Sequence, residues 1–360
     1  MSEILAKSYK NTRYKLDGNG KYSIRQLQIP MENVDEDKQI DFYGNGAIIN
    51  DFEDKIAEML GKDKAVFFPS GTMAQQIALR MWCDMKQIYR VAYHPLSHLE
   101  IYEQDGLKKL HNIETVLLGE QDRLFTIDDL KKRGTDISTL LIELPQRGIG
   151  GQLPNWDELN EILDYCKKNN IRTHLDGARL WEITPYYQKE LKEICAGFDS
   201  VYVSFYKGIG SVAGAILVGP KEFIDESKIW KRRYGGDLIS LYPYVISADY
   251  WFDRRINKME TYYNKAKELS KYFNSIDGIY TIPKIPVSNM FHVHFSKDVD
   301  NINKILAEIM NKISVGITPY LMETKNTWMF EICIGDSYEE IPKDILEKCF
   351  QELDTNINHR

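Results

Sequence analysis

The chain has 360 residues, of which 28% are charged and 43% hydrophobic, and its formal net charge is −7. This length can bury a large core and predicts two domains, whereas the acidic balance excludes nucleic acid and an anionic membrane surface as main partners. The five cysteines are scattered without metal-ligand spacing, and the sequence shows neither a secretory signal core nor a long apolar run. We therefore expect reduced thiols, no metal site and a cytoplasmic protein.

Residues 1–40 are polar and only weakly periodic. They form either an N-terminal arm that orders against a partner subunit or a floppy tail, and the sequence does not decide between the two. Residues 50–61 then carry a helical stripe of apolar side chains that ends at Gly61.

From residue 64 onward, short β-rich runs alternate with helical segments. The predicted strands are KAVFFPSG (a short strand that ends in a turn), RVAYHP, ETVLLG, TLLIELP, IRTHLD, SVYVSFY and AILVG, and the predicted helices between them include TMAQQIALRMW, TIDDLKKR and NWDELNEILDYCKKNN. This alternation predicts an α/β fold with a large, doubly wound, mainly parallel sheet. In the first of these helices, Ile77, Leu79 and Met81 are expected to be buried.

A long helical stretch over residues 240–275 leads out of the sheet. Beyond it, the strands NMFHVHFS and TWMFEICIG alternate with amphipathic helices, which predicts a small α+β domain. We therefore divide the chain into an arm over residues 1–40, a large domain over 41–250 and a small C-terminal domain over 251–360.

Polar and charged residues recur where the predicted strands end, and ligands of doubly wound sheets bind at this edge. These residues are Ser70, His98, Glu143, Asp176 and Lys207. Their convergence predicts a site at the carboxyl edge of the sheet.

Lys207 follows an apolar and aromatic strand and precedes a glycine-rich segment. A desolvated lysine has a lowered pKa and can form a Schiff base with a carbonyl. Asp176 ends a neighbouring strand and suits the pyridine nitrogen of pyridoxal phosphate, which becomes an electron sink when it is protonated.

The segment PSGTMAQQIA places Ser70, Gly71 and Thr72 at the start of a helix. Free N–H groups and the helix dipole at such a position favour a phosphate, although a serine or threonine there is more often a simple helix cap.

HLDGAR at residues 174–179 and SFYKGIGSVAGAILVG at residues 204–219 resemble the core of the threonine aldolase and β-eliminating lyase family. The likeness extends with gaps over roughly residues 41–250. It implies an enzyme that uses pyridoxal 5'-phosphate (PLP), has the aspartate aminotransferase fold (fold type I) and assembles as a homodimer or homotetramer. It also favours phosphate binding, rather than capping alone, at residues 70–72.

The resemblance also implies roles for single residues. His98, in SHLEIYEQDG, would stack on the cofactor ring and act on the substrate hydroxyl, with Glu103 as a nearby carboxylate. Arg179 would lie near the phenolic oxygen of the cofactor and the substrate carboxylate. Ser204 would reach the phosphate or else be an inward-facing strand serine. The rival histidines are His94 and His174, and the second is expected to be packed inside a strand.

Several motifs that bind substrate in the family are altered here. The chain has no R-S-D-T motif, and it reads ELPQRGIGG, YGGDLIS and WMFEICIG where relatives show E-N-T-H-N, GGGMRQ and an arginine-bearing strand. Gln146 and Arg147 thereby enter the predicted site, and Arg147 is a candidate replacement for the missing carboxylate clamp. Tyr43, in DFYGNG, resembles a residue that relatives place near the site.

These observations predict a lyase that cleaves a β-hydroxy amino acid of the threonine or allo-threonine type to glycine and an aldehyde, through an aldimine on Lys207. The alternatives are β-elimination from another β-substituted amino acid and a catalytically silent PLP-binding homologue. A nucleotide-binding enzyme is a poor interpretation, because neither G-x-G-x-x-G after a strand nor a Walker loop is present. The substrate, its stereochemistry and any assisting metal ion stay open at this point.

Overall fold

The computed structural model describes residues 3–20, 23–296 and 301–358. The chain forms two compact units. The larger unit comprises Tyr22–Ile149 and Leu153–Asn257, and the smaller comprises Met1–Lys21, Gly150–Gln152 and Lys258–Arg360.

Strands and helices are numbered along the chain. The strands are β1 Tyr14–Lys15, β2 Lys64–Phe68, β3 Arg90–Tyr93, β4 Glu114–Leu117, β5 Thr139–Glu143, β6 Arg172–Gly177, β7 Ser200–Ser204, β8 Ala215–Gly219, β9 Ile279–Ile282, β10 Met290–Ser296, β11 Val315–Gly316, β12 Met322–Glu323 and β13 Thr327–Cys333. The helices are α1 Glu3–Asn11, α2 Arg25–Glu32, α3 Ala47–Met59, α4 Gly71–Lys86, α5 His98–Ile101, α6 Gly106–His111, α7 Ile127–Arg133, α8 Trp156–Lys168, α9 Thr184–Tyr187, α10 Leu191–Cys195, α11 Lys221–Arg233, α12 Tyr242–Arg255, α13 Met259–Asn274, α14 Ile302–Ile313, α15 Asp336–Glu339 and α16 Lys343–Asn358.

The larger unit is built on a seven-stranded sheet with the order β2-β8-β7-β6-β5-β3-β4. Strands β4, β3, β5, β6 and β7 run parallel, and β8 is antiparallel to both of its neighbours. The inner strands are continuous apolar runs because helices cover both faces of such a sheet. The prediction of an α/β fold with a mainly parallel, doubly wound sheet is confirmed.

Helix α4 packs its apolar face on this sheet. Ile77, Leu79 and Met81 are each at most 2% exposed, so their predicted burial is confirmed. Trp82 of the same helix stacks on Phe223 of α11, with ring centroids 4.3 Å apart. This packing fixes the start of α4 against the strands that carry the site.

The smaller unit contains a four-stranded antiparallel sheet with the order β12-β13-β10-β9. Helices α13, α14 and α16 pack in this unit, and α1 packs on α14. Strand β1 pairs with β11 in a short parallel ladder. An α+β architecture is therefore present in this part of the chain.

The predicted helical stretch over residues 240–275 is two helices rather than one. A 3-10 turn at Ile256–Lys258 separates α12 from α13, and the two units of the chain meet in sequence at this turn. Residues 1–40 are divided between the two units and contain α1 and α2. An N-terminal arm that orders against a partner subunit stays a prediction. Within the described ranges, every helix is too short or too polar for a membrane crossing.

Candidate active site

The carboxyl ends of three parallel strands bring an acidic pair and a lysine together. Glu143 ends β5 and is the register partner of Asp176 on β6, which in turn lies opposite Tyr202 on β7. Register partners on neighbouring strands are about 5 Å apart and point to the same face of a sheet. Lys207 follows β7 by three residues, and its charge acts on Glu143.

The Lys207 amine lies in a partly buried position. Burial lowers its pKa from the ordinary value, and the positive charge of Arg179 lowers it further. The negative charges of Asp176 and Glu143 oppose this shift. The neutral amine, which is the nucleophilic form, is therefore populated at a lower pH here than in a surface lysine.

Asp176 is 1% exposed and is held by two hydrogen bonds. Its Oδ2 accepts a bond of 3.1 Å from Nε2 of Gln75, and its Oδ1 accepts one of 3.1 Å from the backbone N–H of Ala178. Gln75 comes from α4, and its own Oε1 has no hydrogen-bond partner among the described residues. The contact between Gln75 and Asp176 joins residues 101 positions apart and was not predicted from the sequence.

Ser70 is the N-cap residue of α4, and its side chain makes no capping hydrogen bond. The Ser70 hydroxyl therefore does not act as a simple helix cap. Gly71 lies so close to Tyr202 that an added Cβ would be 2.0 Å from the tyrosine hydroxyl, which only glycine avoids. Thr72 continues the first turn of the helix.

A cavity of about 590 Å³ opens beside the start of α4. Its lining includes Ser70, Tyr206 and Ser211. The hydroxyl of Tyr206 is 3.1 Å from that of Tyr202. Hydroxyl groups and the positive end of a helix dipole therefore surround a space that is large enough for a phosphate group.

His98 begins the short helix α5 and is oriented by a carboxylate. Its Nδ1 is 3.2 Å from Oε1 of Glu103, whose Oε2 accepts a 2.8 Å bond from Nε2 of Gln76. The side chain of Glu103 is 2% exposed. The ring of Tyr102 lies 5.2 Å from that of His98.

The segment after β5 turns back over the end of the strand in a 3-10 turn at Arg147–Ile149. Nε2 of Gln146 donates 3.2 Å bonds to Oε2 of Glu143 and to the carbonyl of Leu96. The guanidinium of Arg147 lies 5.5 Å from the centre of the Tyr102 ring. The segment therefore joins the acidic pair to the histidine, and Tyr102 is a site residue that the sequence did not reveal.

Arg179 follows β6 and is largely buried. Its side chain is 11% exposed, and its Nε lies 4.0 Å from Oε2 of Glu182, whose side chain is completely buried. An added Cβ at Gly208, directly after Lys207, would lie 2.0 Å from Oε1 of Glu182. Glu182, which was not among the predicted residues, thus lies between Arg179 and the segment that carries Lys207.

Other predicted residues have contacts of a different kind. The Ser204 hydroxyl donates a 2.8 Å bond to the carbonyl of Ala178, which is the arrangement of an inward-facing strand serine. Tyr43 is 46% exposed, has a positive φ of 47° and donates its backbone N–H to the carbonyl of Ile239. Tyr43 is therefore hydrogen-bonded to the loop before α12, and its position near the predicted site stays a prediction.

The two rival histidines are both used by the fold. His174 is completely buried and hydrogen-bonds Ser200, and burial lowers its pKa to about 3, so its predicted packing is confirmed. His94 accepts the N–H of Leu96 at its Nδ1, and its Nε2 is 2.8 Å from the carbonyl of Arg123. Of these three histidines, His98 is the one whose ring nitrogen contacts a carboxylate.

Three features of this region suit a ligand that carries three different chemical groups. A lysine of lowered pKa suits an aldehyde, a buried acid suits a basic ring nitrogen, and a hydroxyl-lined helix start suits a phosphate. Among the described residues, the buried Oε1 of Gln75 has no hydrogen-bond partner and is available to a group besides the protein itself. PLP combines these three groups, so the residues present fit this cofactor.

Comparisons with known proteins agree with this chemistry. Residues 23–296 match the beta-eliminating lyase family. A crystal structure from Listeria monocytogenes, provisionally named an L-allo-threonine aldolase, is 58% identical with a TM-score of 0.96 and covers 98% of this chain and 99% of its own. One from an Exiguobacterium species, provisionally named an aromatic amino acid beta-eliminating lyase/threonine aldolase, is 49% identical with a TM-score of 0.96 and the same coverage.

Among curated proteins, the probable low-specificity L-threonine aldolase 2 of Arabidopsis thaliana is 24% identical over 91% of this chain and 93% of its own length. More distant structures share the fold of PLP enzymes of fold type I. The predicted resemblance, fold and cofactor are thereby confirmed. The chain belongs to the beta-eliminating lyase family and is a PLP-dependent lyase.

Proposed function

We propose that this enzyme cleaves the Cα–Cβ bond of a β-hydroxy amino acid of the threonine or allo-threonine type and releases glycine and an aldehyde. The observation that carries the proposal is the buried Glu103 carboxylate, which lies 3.2 Å from Nδ1 of His98 and orients its ring. A histidine held in this way can take the proton of a substrate hydroxyl, as cleavage to an aldehyde requires. The names of the Listeria and Arabidopsis relatives support the same substrate class.

When bound, PLP supplies the electron sink that accepts the electrons of the broken bond. The residues proposed to hold it are Lys207 for the aldehyde, Asp176 for the ring nitrogen, and the start of α4 for the phosphate. Two hydrogen bonds hold the Asp176 carboxyl group in place, where it can pair with a protonated ring nitrogen. Ser204 has a weaker claim to the phosphate, because its hydroxyl already bonds Ala178.

The substrate carboxylate is assigned to the arginines. Arg147 and Arg179 both act on the charge of Lys207, and a guanidinium binds a carboxylate through two parallel hydrogen bonds. Gln146 is 2% exposed and fixes the segment that carries Arg147. In this proposal Arg147 takes the place of the carboxylate clamp that is absent from the altered motifs.

The proton balance of the cleavage involves the chain directly. The β-hydroxyl loses its proton to His98, the Cα–Cβ bond breaks as the aldehyde C=O forms, and Cα later gains a proton to give glycine. Glu103 stabilises the positive charge that His98 acquires. The cleavage consumes one amino acid and releases one glycine and one aldehyde.

The test is a product assay with the four stereoisomers of threonine, in which glycine and acetaldehyde are measured together. Equal amounts of both products are expected from at least one isomer, and a His98→Gln variant should lose most of this turnover. Release of a keto acid and ammonia instead would contradict the proposal and favour β-elimination. No turnover of any β-substituted amino acid would favour a silent homologue.

We also propose a cytoplasmic homo-oligomer, at least a dimer. Within the described part of the chain, none of the five cysteines forms a disulfide, as is expected of reduced thiols. Light scattering of the purified protein measures the mass of the assembly, and a mass equal to that of a single chain would contradict the proposed homo-oligomer.

A further inference from the structure

Gln75 is a polar residue in the buried part of α4. It is 2% exposed, and its neighbours Ala74, Ile77 and Ala78 belong to a hydrophobic cluster. Glutamine is mostly a surface residue, and a buried amide costs free energy unless its polar atoms are hydrogen-bonded. Oε1 of Gln75 is buried without a hydrogen-bond partner among the described residues. Packing alone therefore does not explain an amide at this position.

Helix α4 turns the Gln75 side chain toward the strands that carry the site. Gln75 follows Gly71 by four residues, so both lie on one face of the helix. On this face Gly71 approaches the hydroxyl of Tyr202, the residue that lies opposite Asp176 in the strand register. Nε2 of Gln75 reaches Oδ2 of Asp176, to which it donates a 3.1 Å hydrogen bond.

This hydrogen bond restricts how the Asp176 carboxyl group can turn. The last torsion of an aspartate side chain is broad, so neighbouring donors, rather than the torsion itself, set the orientation of the group. The bond from the N–H of Ala178 to Oδ1 comes from only two residues along the same segment. Gln75 belongs to a different element, so its bond ties the carboxyl group to α4.

The amide of Gln75 has one orientation that suits this contact. An ionised carboxylate accepts hydrogen bonds and donates none, so the NH₂ group must face Asp176. Exchange of the two amide atoms would place Oε1 against Oδ2 of Asp176. The buried Oε1 without a partner is therefore a consequence of the bond to Asp176.

The next residue, Gln76, makes the same kind of contact with a different acid. Its Nε2 donates a 2.8 Å bond to Oε2 of Glu103, and a Cβ added at Gly106 would lie 2.3 Å from that nitrogen. Successive residues of a helix point about 100° apart, so the two amides face different sides of α4. Gln76 is therefore a matched reference for Gln75.

We propose that Gln75 is a positioning residue, which holds the Asp176 carboxyl group in the orientation that pairs with the ring nitrogen of PLP. A hydrogen bond weakens steeply when donor and acceptor are misaligned, so a carboxyl group that turns away loses much of this pairing. Gln75 acts through Asp176 rather than on the cofactor itself. The inference rests on the role proposed for Asp176, and it does not depend on which amino acid is cleaved.

The test compares the dissociation constants of two cofactors, measured by equilibrium dialysis with the apoprotein and without any amino acid. One cofactor is PLP, and the other is its 1-deaza analogue, which has a C–H group in place of the ring nitrogen. The wild type should bind PLP at least about tenfold more tightly, because only PLP can form a charge-assisted bond to Asp176.

In Gln75→Leu this preference for PLP should fall by about fivefold, which corresponds to the loss of one ordinary hydrogen bond. PLP should bind more weakly, while the affinity for the analogue should stay within about twofold of the wild type. If Gln75→Leu does not fold, Gln75→Met has an unbranched side chain of the same length and should give the same result.

The ratio of the two dissociation constants separates positioning from a purely structural effect. General damage to the site would weaken both cofactors alike, and an unchanged preference in the folded variant would overturn the proposal. Gln76→Leu is the control and should keep the wild-type preference, because the bond that it loses goes to Glu103. An equal fall of the preference in Gln76→Leu would also overturn the proposal.

The role of Gln75 and the roles on which it rests can fail separately. Equal affinities of the wild type for PLP and its analogue would remove the ring-nitrogen role of Asp176, and this inference with it. A wild-type preference that persists in full in Gln75→Leu would overturn the role of Gln75 alone. A failure to cleave threonine would overturn the proposed function but would change neither dissociation constant.

Discussion

Asp176 lies on β6 of the seven-stranded sheet and Lys207 follows β7, whereas His98 and Arg147 lie on short helical turns between the strands. Asp176 is 1% exposed and tied to the middle of the sheet, while Tyr102, beside His98 and Arg147, is 55% exposed. The proposed cofactor half of the site is thus carried by regular, buried structure, and the proposed substrate half by irregular structure.

The difference between the two halves matches two requirements, which are holding a cofactor in a fixed position and recognising a particular substrate. A cofactor that is the same in every turnover is best held by groups whose positions the sheet fixes. Recognition of a particular substrate is more easily changed on connecting segments, which tolerate substitution without loss of the core. Two of the altered motifs, at residues 143–151 and 234–240, fall largely in such segments, whereas WMFEICIG lies mostly on strand β13.

The largest effect is expected from Asp176→Asn in the buried half. The amide cannot hold a ring nitrogen protonated, and the loss of one partner of a buried ion pair costs about 3–5 kcal/mol, which corresponds to roughly 10²–10⁴-fold in turnover. Steady-state kinetics measure this loss. Asp199→Asn is the control, because Asp199 pairs with Arg172 at the opposite ends of the same strands, and similar losses in both variants would contradict the account.

Arg147→Ala tests the irregular half. Loss of a charge-assisted bond to the substrate carboxylate costs about 1.5–3 kcal/mol, so KM should rise about 10–100-fold while kcat changes much less. Arg147→Lys keeps the charge but not the paired hydrogen bonds and should give an intermediate KM. An unchanged KM in Arg147→Ala would remove this residue from the substrate site.

Glu103→Gln should have a smaller effect, because the side chain can still contact both His98 and Gln76. A neutral amide stabilises a protonated histidine less well by about 1 kcal/mol, so kcat should fall roughly fivefold. Glu100→Gln, on the helix α5 that His98 begins, is the control, because the carboxylate of Glu100 accepts the hydroxyl of Tyr93 instead. Equal kcat values for the wild type and Glu103→Gln would contradict the proposed orientation of His98.

The smallest effect on turnover is expected from Asp41→Asn. This variant tests whether Asp41 stabilises the connecting segment that leads into α12. Asp41 is completely buried and accepts the N–H groups of Leu241 and Tyr242 at the start of α12. Loss of these charge-assisted bonds should lower the free energy of unfolding by about 1–3 kcal/mol, measured by urea denaturation. Ser240→Ala removes only a 3.1 Å bond to the Asp41 carbonyl and should cost less.

The sequence predicted the sheet and the strand-end residues because both follow from local patterns. Apolar runs of strand length identify β5, β6 and β7, and the parallel arrangement then brings Glu143, Asp176 and Lys207 to one edge. The break at Ile256–Lys258 was missed because the residues on both sides favour helix equally well.

Contacts between distant segments were beyond the reach of sequence patterns. Gln75 looks like an ordinary residue of a buried helix, and only the packing of α4 on the sheet brings it to Asp176. Tyr102 and Glu182 carry no motif signal, since their positions depend on how short turns pack. The Ser204 hydroxyl faces Ala178 because of the twist and pairing of β6 and β7, which spacing alone does not specify.

The most direct test of the account is the absorbance spectrum of the purified protein with and without each threonine isomer, compared with Lys207→Ala. The account predicts a visible band in the wild type that changes with one or more isomers as acetaldehyde appears. It predicts that this band is absent from the variant, because PLP cannot attach to residue 207 there. A wild-type protein that binds no PLP after the cofactor is added, or a variant whose band and turnover match the wild type, would contradict the assignment of Lys207 and of the site built around it.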